Sequence, residues 1–160
     1  MTSLQKLAFS GAMLQRGFWL YVWEIETAGG DKWLYVGRTG DSSSANAQSP
    51  FTRLGQHLGT NKNANALRRH LKSVGVDPDA CHSFEMVAFG PILPEAKPMD
   101  EHRPRRDKMA ALEKTLCDAF VEAGYQVLNK VHCRHVLDDA LWQATFNAFA
   151  ERFPNLRKTQ

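Results

Sequence analysis

Two short runs of apolar and aromatic residues lie near the N-terminus, at 18–26 and 32–37, separated by a turn that contains two glycines. Runs of this length, rich in Trp, Tyr, Val, Leu and Ile, are typical of β-strands, so this segment predicts a β-hairpin. The first run is apolar at even positions (Phe18, Leu20, Val22) and at odd positions (Trp19, Tyr21, Trp23, Ile25). A strand that is apolar on both faces predicts a central place in the sheet, covered on each side.

Between residues 40 and 89 the pattern changes to helix and back to strand. Small polar residues and a closing proline at 40–50 predict a loop. After it, Phe51, Leu54 and Leu58 fall on one face of a helix whose first turn tolerates Pro50. A second helix is predicted over about 63–73 and a third strand over 82–89.

The last third of the chain predicts a loop and two helices. Four prolines among polar residues at 90–106 favour a loop. A strong amphipathic helix is predicted over 107–123, and a last one over 136–152. The apolar stripe of the first of these consists of Met109, Leu112, Leu116 and Phe120. The fold class is therefore α+β: a small three-stranded antiparallel sheet flanked by helices, with a ββααβα core and a C-terminal helix.

A length of 160 residues suits one domain, with a core at about 18–130 and a helical extension at about 134–153. Apolar residues make up 43% of the chain, and no apolar run is long enough to span a membrane. The first residues lack the order of an export signal, so we expect a cytoplasmic protein without a membrane partner. Three widely spaced cysteines argue against a disulfide framework. The nearby His132, Cys133 and His135 miss the usual spacing of zinc ligands.

The net charge is only +3, but positive residues are concentrated at 67–72 and 102–108. Arg134, Arg152, Arg157 and Lys158 follow them. Such clusters suit a surface that follows nucleic-acid phosphates, and they also suit an ordinary solvated face. Charge alone leaves the two readings open.

The run Trp-Leu-Tyr-Val occurs in both predicted hairpin strands and contains Tyr21 and Tyr35. An odd-length turn, such as residues 28–30, would place Tyr35 opposite Trp23 and bring both tyrosines to one face of the sheet. A two-residue turn would separate them. Two strand tyrosines on one face are either core aromatics or a pair of phenols at a chemical site.

Three more residues attract attention because of their helical positions. Arg53 and His57 are one turn apart, beside an apolar stripe, which suits either an anionic substrate or an exposed polar flank. Glu113 lies about 55° from the centre of its helix's apolar stripe, inside the face that the helix buries. A carboxylate there needs a partner, and an ion pair with an arginine or a divalent cation would serve.

In this order, these residues make the chain resemble the GIY-YIG nuclease family. "WLY" at 19–21 is similar to the first motif and "YVG" at 35–37 to the second, followed by "RT". Arg53 with His57, Glu113 in "ALEKTL" and Asn129 in "VLNK" match the family's arginine helix, metal-binding glutamate and closing asparagine. The resemblance covers about residues 18–130. Trp19 replaces the usual glycine, and residues 41–50 lengthen the path to Arg53.

The resemblance implies a metal-dependent endonuclease that hydrolyses phosphodiester bonds of DNA, with RNA left open. It assigns catalytic places to Tyr21, Tyr35, Arg53, His57, Glu113 and Asn129. Tyr21 would be the general base, Arg53 would stabilise the phosphate, and Glu113 would hold Mg²⁺ or Mn²⁺. Asn129 would brace the site.

The resemblance further implies that Gly37, Arg38 and Thr39, at the end of the second motif, contact the substrate. Two alternatives accompany this assignment. One is a non-catalytic module that binds nucleic acid or protein on the same scaffold, and the other is a restriction-type or toxin nuclease.

Overall fold

The computed structural model describes residues 2–159 and has the α+β architecture that the sequence predicts. Its elements are β1 (Phe18–Glu26), β2 (Lys32–Arg38), α1 (Pro50–Leu58), α2 (Ala66–Ser73), β3 (Ser83–Leu93), α3 (Met99–Glu122) and α4 (Asp139–Arg152). Short 3-10 turns occur at Gly11–Leu14, Pro78–Ala80 and Pro154–Thr159. Within residues 2–159, no helix is both long enough and apolar enough to cross a membrane. All three cysteines are free thiols, as their spacing suggests.

The three strands form one antiparallel sheet in the order β2-β1-β3, so β1 is central, as predicted. One face of β1 contributes Phe18, Leu20 and Val22 to a core with α3 and α4. The other face contributes Tyr21, Trp23 and Ile25 to a second core with α1 and α2. Because helices cover both faces, both sets of apolar positions along β1 are buried.

The hairpin has the odd-length turn that the sequence predicts. Trp23 pairs with Tyr35, and Thr27 N donates to Asp31 O at 2.9 Å, which leaves residues 28–30 as the turn. Gly30 has a φ of +88°, a conformation that glycine adopts without the penalty of a Cβ. The register therefore places Tyr21 and Tyr35 on the same face of the sheet.

The predicted loop at 90–106 is wrong. Strand β3 continues to Leu93 and tolerates Pro91 because it is an edge strand, paired only with β1. Helix α3 then begins at Met99, eight residues before its predicted start. Acidic residues in its first turn favour this start, and Pro104 lies early in the helix, where its missing N–H costs one hydrogen bond.

Three smaller differences concern the helical segments. Helix α2 begins at Ala66 rather than near residue 63, and α4 begins at Asp139, where the Asp138 side chain caps Leu141 N. Phe51 does not join the core face of α1. It is 41% exposed, and its ring lies 4.9 Å from the ring of Phe9.

The segment after α3 extends the sheet along the free edge of β2. Leu34 N donates to Gln126 O, and Leu128 N donates to Leu34 O, both at 2.8 Å. This short parallel contact gives β2 a second neighbour. It fixes the strand that carries Tyr35 and Gly37, and so it holds one wall of the candidate site.

Candidate active site

A shallow cleft of about 200 Å³ lies where β1, β2, α1 and α3 approach one another. The residues that line it are Tyr21, Tyr35, Gly37, Arg38, Gly40, Arg53, His57 and Glu113. Of the site residues that the sequence predicts, the fold brings all except Thr39 and Asn129 to this cleft. Four separate elements contribute side chains to it.

Tyr21 and His57 form the shortest polar contact in the cleft, with the phenol oxygen 2.5 Å from His57 Nε2. Burial, reinforced by Tyr35, raises the pKa of the Tyr21 phenol far above its usual range. Burial, together with the positive charge of Arg53, lowers the pKa of His57 to about 4. At neutral pH both groups are therefore neutral, and in the Nδ1–H tautomer of His57 the Tyr21 hydroxyl donates to the Nε2 lone pair.

In that tautomer the His57 proton is on Nδ1, which is buried and has no hydrogen-bond partner among residues 2–159. The imidazole is thus a base whose acceptor nitrogen is aimed at one phenol. Arg53 and Arg38 lower the pKa of Tyr21, but burial outweighs their effect. A proton acceptor for Tyr21 is instead provided by His57.

Tyr35 completes the aromatic side of the cleft. Its ring meets His57 edge-on at 5.2 Å and His70 at 5.5 Å between centroids. It is 8% exposed, and burial together with Glu113 raises the pKa of its phenol to about 12. Tyr35 is therefore a neutral hydroxyl at neutral pH, suited to donating a hydrogen bond rather than to acting as a base.

Arg53 is held by partners that the sequence did not reveal. Its guanidinium donates to Asp41 Oδ1 at 2.9 Å and to Gln56 Oε1 at 3.0 Å. Its Nε is buried and has no acceptor among the described residues. Gln56 follows Arg53 by three positions on α1, a detectable helical spacing, whereas the approach of Asp41 depends on the loop path.

Glu113 is paired with the arginine at the end of β2. Arg38 Nε donates to Glu113 Oε2 at 3.0 Å, and a second guanidinium nitrogen donates to Gly40 O, also at 3.0 Å. Burial raises the pKa of the Glu113 carboxyl more than the Arg38 charge lowers it. Of the two partners considered for this carboxylate, the structure contains the arginine. Arg38 lines the cleft, but Glu113 and Gly40 hold its guanidinium.

The carboxylate retains capacity for a metal ion. Glu113 Oε1 accepts no hydrogen bond from any of residues 2–159, and the side chain borders the open cleft. Within the same residues, no group of three or more His, Cys, Asp or Glu is placed to hold an ion. A single carboxylate fits Mg²⁺, which commonly binds through one or two carboxylates and keeps several waters and substrate oxygens.

Thr39 is not at the cleft. It is fully buried, where its hydroxyl donates to Gly17 O at 2.6 Å and accepts from Trp19 N at 2.9 Å. Thr39 N also donates to Trp19 O. The predicted substrate contact is therefore replaced by a structural one, because Thr39 ties the end of β2 to the start of β1.

Asn129 is also outside the cleft, and its side chain bonds to β2 as the backbone of a neighbouring strand would. Its Oδ1 accepts from Val36 N at 3.0 Å, and its Nδ2 donates to Val36 O at 2.7 Å. Both the oxygen and the NH₂ of the side-chain amide are therefore used to hold β2. The structure gives Asn129 the bracing role and places it away from the reacting groups.

We expect Asn129→Ala to lower the free energy of unfolding by about 2–3 kcal/mol, since both Val36 backbone groups lose their partner. Urea denaturation followed by tryptophan fluorescence measures this change. Asn147→Ala is the matched control because Asn147 is exposed on α4, where its effect should stay within about 0.5 kcal/mol. Equal stability of the two variants would contradict the bracing role.

Gly37 allows the Tyr21 ring to reach His57. A Cβ at Gly37 would lie 2.5–2.6 Å from three atoms of the Tyr21 phenol. We expect Gly37→Ala to cost about 1–3 kcal/mol of stability and to displace the phenol. Gly55→Ala is the control because a Cβ there meets nothing within 4 Å and lies inside α1. Thermal unfolding should show the first variant destabilised and the second unchanged or slightly stabilised.

His57 gives the protein a specific pH dependence. Its pKa falls from 6.5 in the unfolded chain to about 4 in the folded one, so between these values only the unfolded state binds the proton. We expect His57 to contribute on the order of 3 kcal/mol above about pH 6.5, lost as the pH falls towards 4. Denaturation across this range should show a steeper loss of stability for the wild type than for His57→Gln. Parallel curves would contradict the buried neutral imidazole.

No protein-family model, curated protein or solved structure matches this chain.

Proposed function

We propose that the chain is a metal-dependent endonuclease of the GIY-YIG type that hydrolyses phosphodiester bonds of DNA, with RNA as the other possible backbone. The observation that carries this proposal is the composition of the cleft. Tyr21, Tyr35, Arg53, His57 and Glu113, far apart along the chain, line one small cavity. Two phenols, a guanidinium, an imidazole and a carboxylate together suit attack by water on an anionic ester.

Glu113 would hold Mg²⁺ or Mn²⁺ through Oε1, the carboxylate oxygen without a protein partner among residues 2–159. When bound, the ion supplies a Lewis acid that polarises a phosphate oxygen and stabilises the leaving 3′ oxygen. The Arg38 contact to the other carboxylate oxygen fixes the orientation of the side chain. Burial disfavours the charged form of Glu113, and a bound cation would offset that cost.

Proton transfer would use Tyr21 and His57 together. A phenol whose pKa is raised by burial does not ionise unaided near neutral pH. His57 Nε2, 2.5 Å away, would accept the Tyr21 proton as Tyr21 takes one from the attacking water, because the negative charge of a bound phosphate would raise the low pKa of the imidazole. Tyr21 is then the base that meets water, and His57 is the base that completes the transfer. Tyr35, beside them, would orient the water or a phosphate oxygen.

Arg53 would stabilise the negative charge that develops on the phosphate. Its guanidinium lines the cleft beside the two phenols and Glu113. The contacts to Asp41 and Gln56 restrict its orientation, so little reorganisation is needed during the reaction. Preorganised donors of this kind commonly contribute several kcal/mol to catalysis.

A digestion panel tests the proposal. Purified protein is incubated with duplex, single-stranded and branched DNA and with RNA, each with Mg²⁺, Mn²⁺ or EDTA. We expect metal-dependent cutting of at least one substrate and none in EDTA. Intact substrates under every condition would reject the proposed activity. Discrete fragments from long DNA would favour a restriction-type enzyme, and random nicking would argue against one.

A second candidate function is a non-catalytic binding module on the same scaffold. The ion pairs of the cleft favour it, since Arg38 holds Glu113 and Asp41 holds Arg53. A cleft whose charges are satisfied internally can persist without a metal or a substrate. Binding of nucleic acid without cutting, together with no Mn²⁺ bound by the wild type, would support this candidate.

A further inference from the structure

A second, larger cavity of about 420 Å³ lies directly beside the candidate active site and shares Arg38 with it. We call it the basic groove. Its principal lining side chains are Arg38, Arg106, Asp107, His132, Arg134 and His135. Three arginines and two histidines face one acidic residue there, so the groove attracts anions.

Helix α3 aligns the groove with the active site. Arg106, Ala110 and Glu113 follow one another at spacings of four and three residues, which puts them on one face of the helix. Ala110 lines the groove and Glu113 lines the cleft. The helix rise places Arg106 about 10 Å along the axis from Glu113. A polymer that is bound in the cleft and extends along this face of α3 would reach the groove.

The charges of the groove are partly fixed and partly free. Arg106 is anchored, since it donates to Ser42 O at 3.0 Å and to Asp107 Oδ1 at 2.9 Å. His132 and Arg134 are exposed and make no side-chain hydrogen bond or ion pair with any of residues 2–159. Arg134 therefore retains its full capacity to donate to a ligand.

The chemistry of the groove points away from a metal centre. His132, Cys133 and His135 lie close in sequence, but the described residues contain no group of three His, Cys, Asp or Glu placed to hold an ion. Guanidinium groups, which dominate the lining, bind phosphate through paired N–H donors and do not bind cations. The fitting ligand is an anion with several acceptor oxygens.

We propose that the basic groove binds a backbone phosphate of the nucleic acid that flanks the phosphodiester in the cleft. This inference rests on the proposed function for the identity of the ligand. Arg134 and Arg106 are the principal donors, and Arg38 lies at the junction between the two cavities. Asp107 orients Arg106, and its negative charge repels the phosphate, which limits the affinity of the groove for the strand.

The test measures binding in EDTA, so that its result does not depend on cutting. A short fluorescent DNA duplex and the matched RNA are titrated with wild type, Arg134→Ala, Asp107→Asn and Arg157→Ala at several salt concentrations. Arg157 provides the matched control because it is an exposed arginine that does not line the groove. It lies on the C-terminal 3-10 turn, whose Thr159 contacts a separate cavity beside the C-terminal half of α3.

We expect Arg134→Ala to weaken binding about three- to tenfold and to reduce the slope of log K against log salt by about 0.9. Asp107→Asn should tighten binding about two- to threefold, since it removes the opposing charge while asparagine keeps an oxygen that accepts from Arg106 Nε. Arg157→Ala should match the wild type. The inference would be overturned if Arg134→Ala kept the wild-type affinity and salt slope, or if Asp107→Asn bound more weakly than the wild type. It would also be overturned if the wild type bound neither nucleic acid.

These results separate the groove from the proposed activity. Groove-dependent binding by a protein that cuts nothing would retain the phosphate site and reject the nuclease. Wild-type cutting together with wild-type affinity and salt dependence in both Arg134→Ala and Asp107→Asn would retain the nuclease and reject the groove.

Discussion

Replacing Glu113 with alanine is expected to reduce cutting by about a thousandfold or more, while the protein remains folded. Glu113 offers the carboxylate of the cleft, and loss of a metal ligand at a phosphate removes several kcal/mol of transition-state stabilisation. Single-turnover cleavage with protein in excess measures the loss without interference from product release. Circular dichroism and thermal unfolding check the fold.

Glu113→Gln distinguishes the loss of the metal ligand from the loss of the contact with Arg38. Glutamine keeps the shape and an oxygen that accepts from Arg38 Nε, which now contacts Glu113 at 3.0 Å. We expect Gln to cut as poorly as Ala but to be more stable by about 1–3 kcal/mol, since Ala leaves Arg38 without that acceptor. If Glu113→Ala cut as fast as the wild type, the proposed metal site would be wrong.

Tyr21→Phe is expected to slow the chemical step by about a hundredfold to ten-thousandfold. The change removes only the hydroxyl that lies 2.5 Å from His57 Nε2 and leaves the buried ring in place. The same single-turnover assay, run at saturating protein, reports the step itself. The change leaves the buried His57 Nε2 without a partner, which should cost about 1–3 kcal/mol of stability, and thermal unfolding checks that the variant remains folded.

Tyr35→Phe is the matched control for Tyr21. It removes the other phenol of the cleft, whose ring packs edge-on against His57 without a hydrogen bond to it. We expect a smaller loss of rate, since Tyr35 orients rather than transfers a proton. A larger effect at Tyr35 than at Tyr21 would exchange their roles, and wild-type rates for both would remove the phenols from the mechanism.

The hairpin of the sheet could be predicted from the sequence because the burial of a strand's faces and the register of a hairpin depend on residues close together in the chain. Apolar residues at both even and odd positions of β1 indicate two buried faces, and the parity of the turn determines that Tyr21 and Tyr35 share one of them. Helical periodicity likewise identifies the buried stripe of α3 and the position of Glu113 beside it. These features depend on near neighbours in the chain.

The partners of the charged groups could not be predicted in the same way. Asp41 reaches Arg53 because of the path of a loop, and Arg38 selects Glu113 through the packing of α3 against β2. The end of β3 and the start of α3 were missed because prolines at 91 and 104 suggest a loop. An edge strand tolerates Pro91, and α3 continues through Pro104 at the cost of one backbone hydrogen bond. Thr39 and Asn129 were assigned by motif alone, and tertiary hydrogen bonds give them structural roles.

The most direct test of the proposed active site is incision of supercoiled plasmid by the wild type and by Glu113→Ala, purified identically and compared in Mg²⁺, Mn²⁺ and EDTA. The proposed site predicts that the wild type converts supercoiled DNA to nicked or linear forms with a divalent ion, and that neither EDTA nor the variant allows this conversion. Equal incision by both proteins would contradict it, as would a wild type that, with both ions, leaves the plasmid and every substrate of the digestion panel intact.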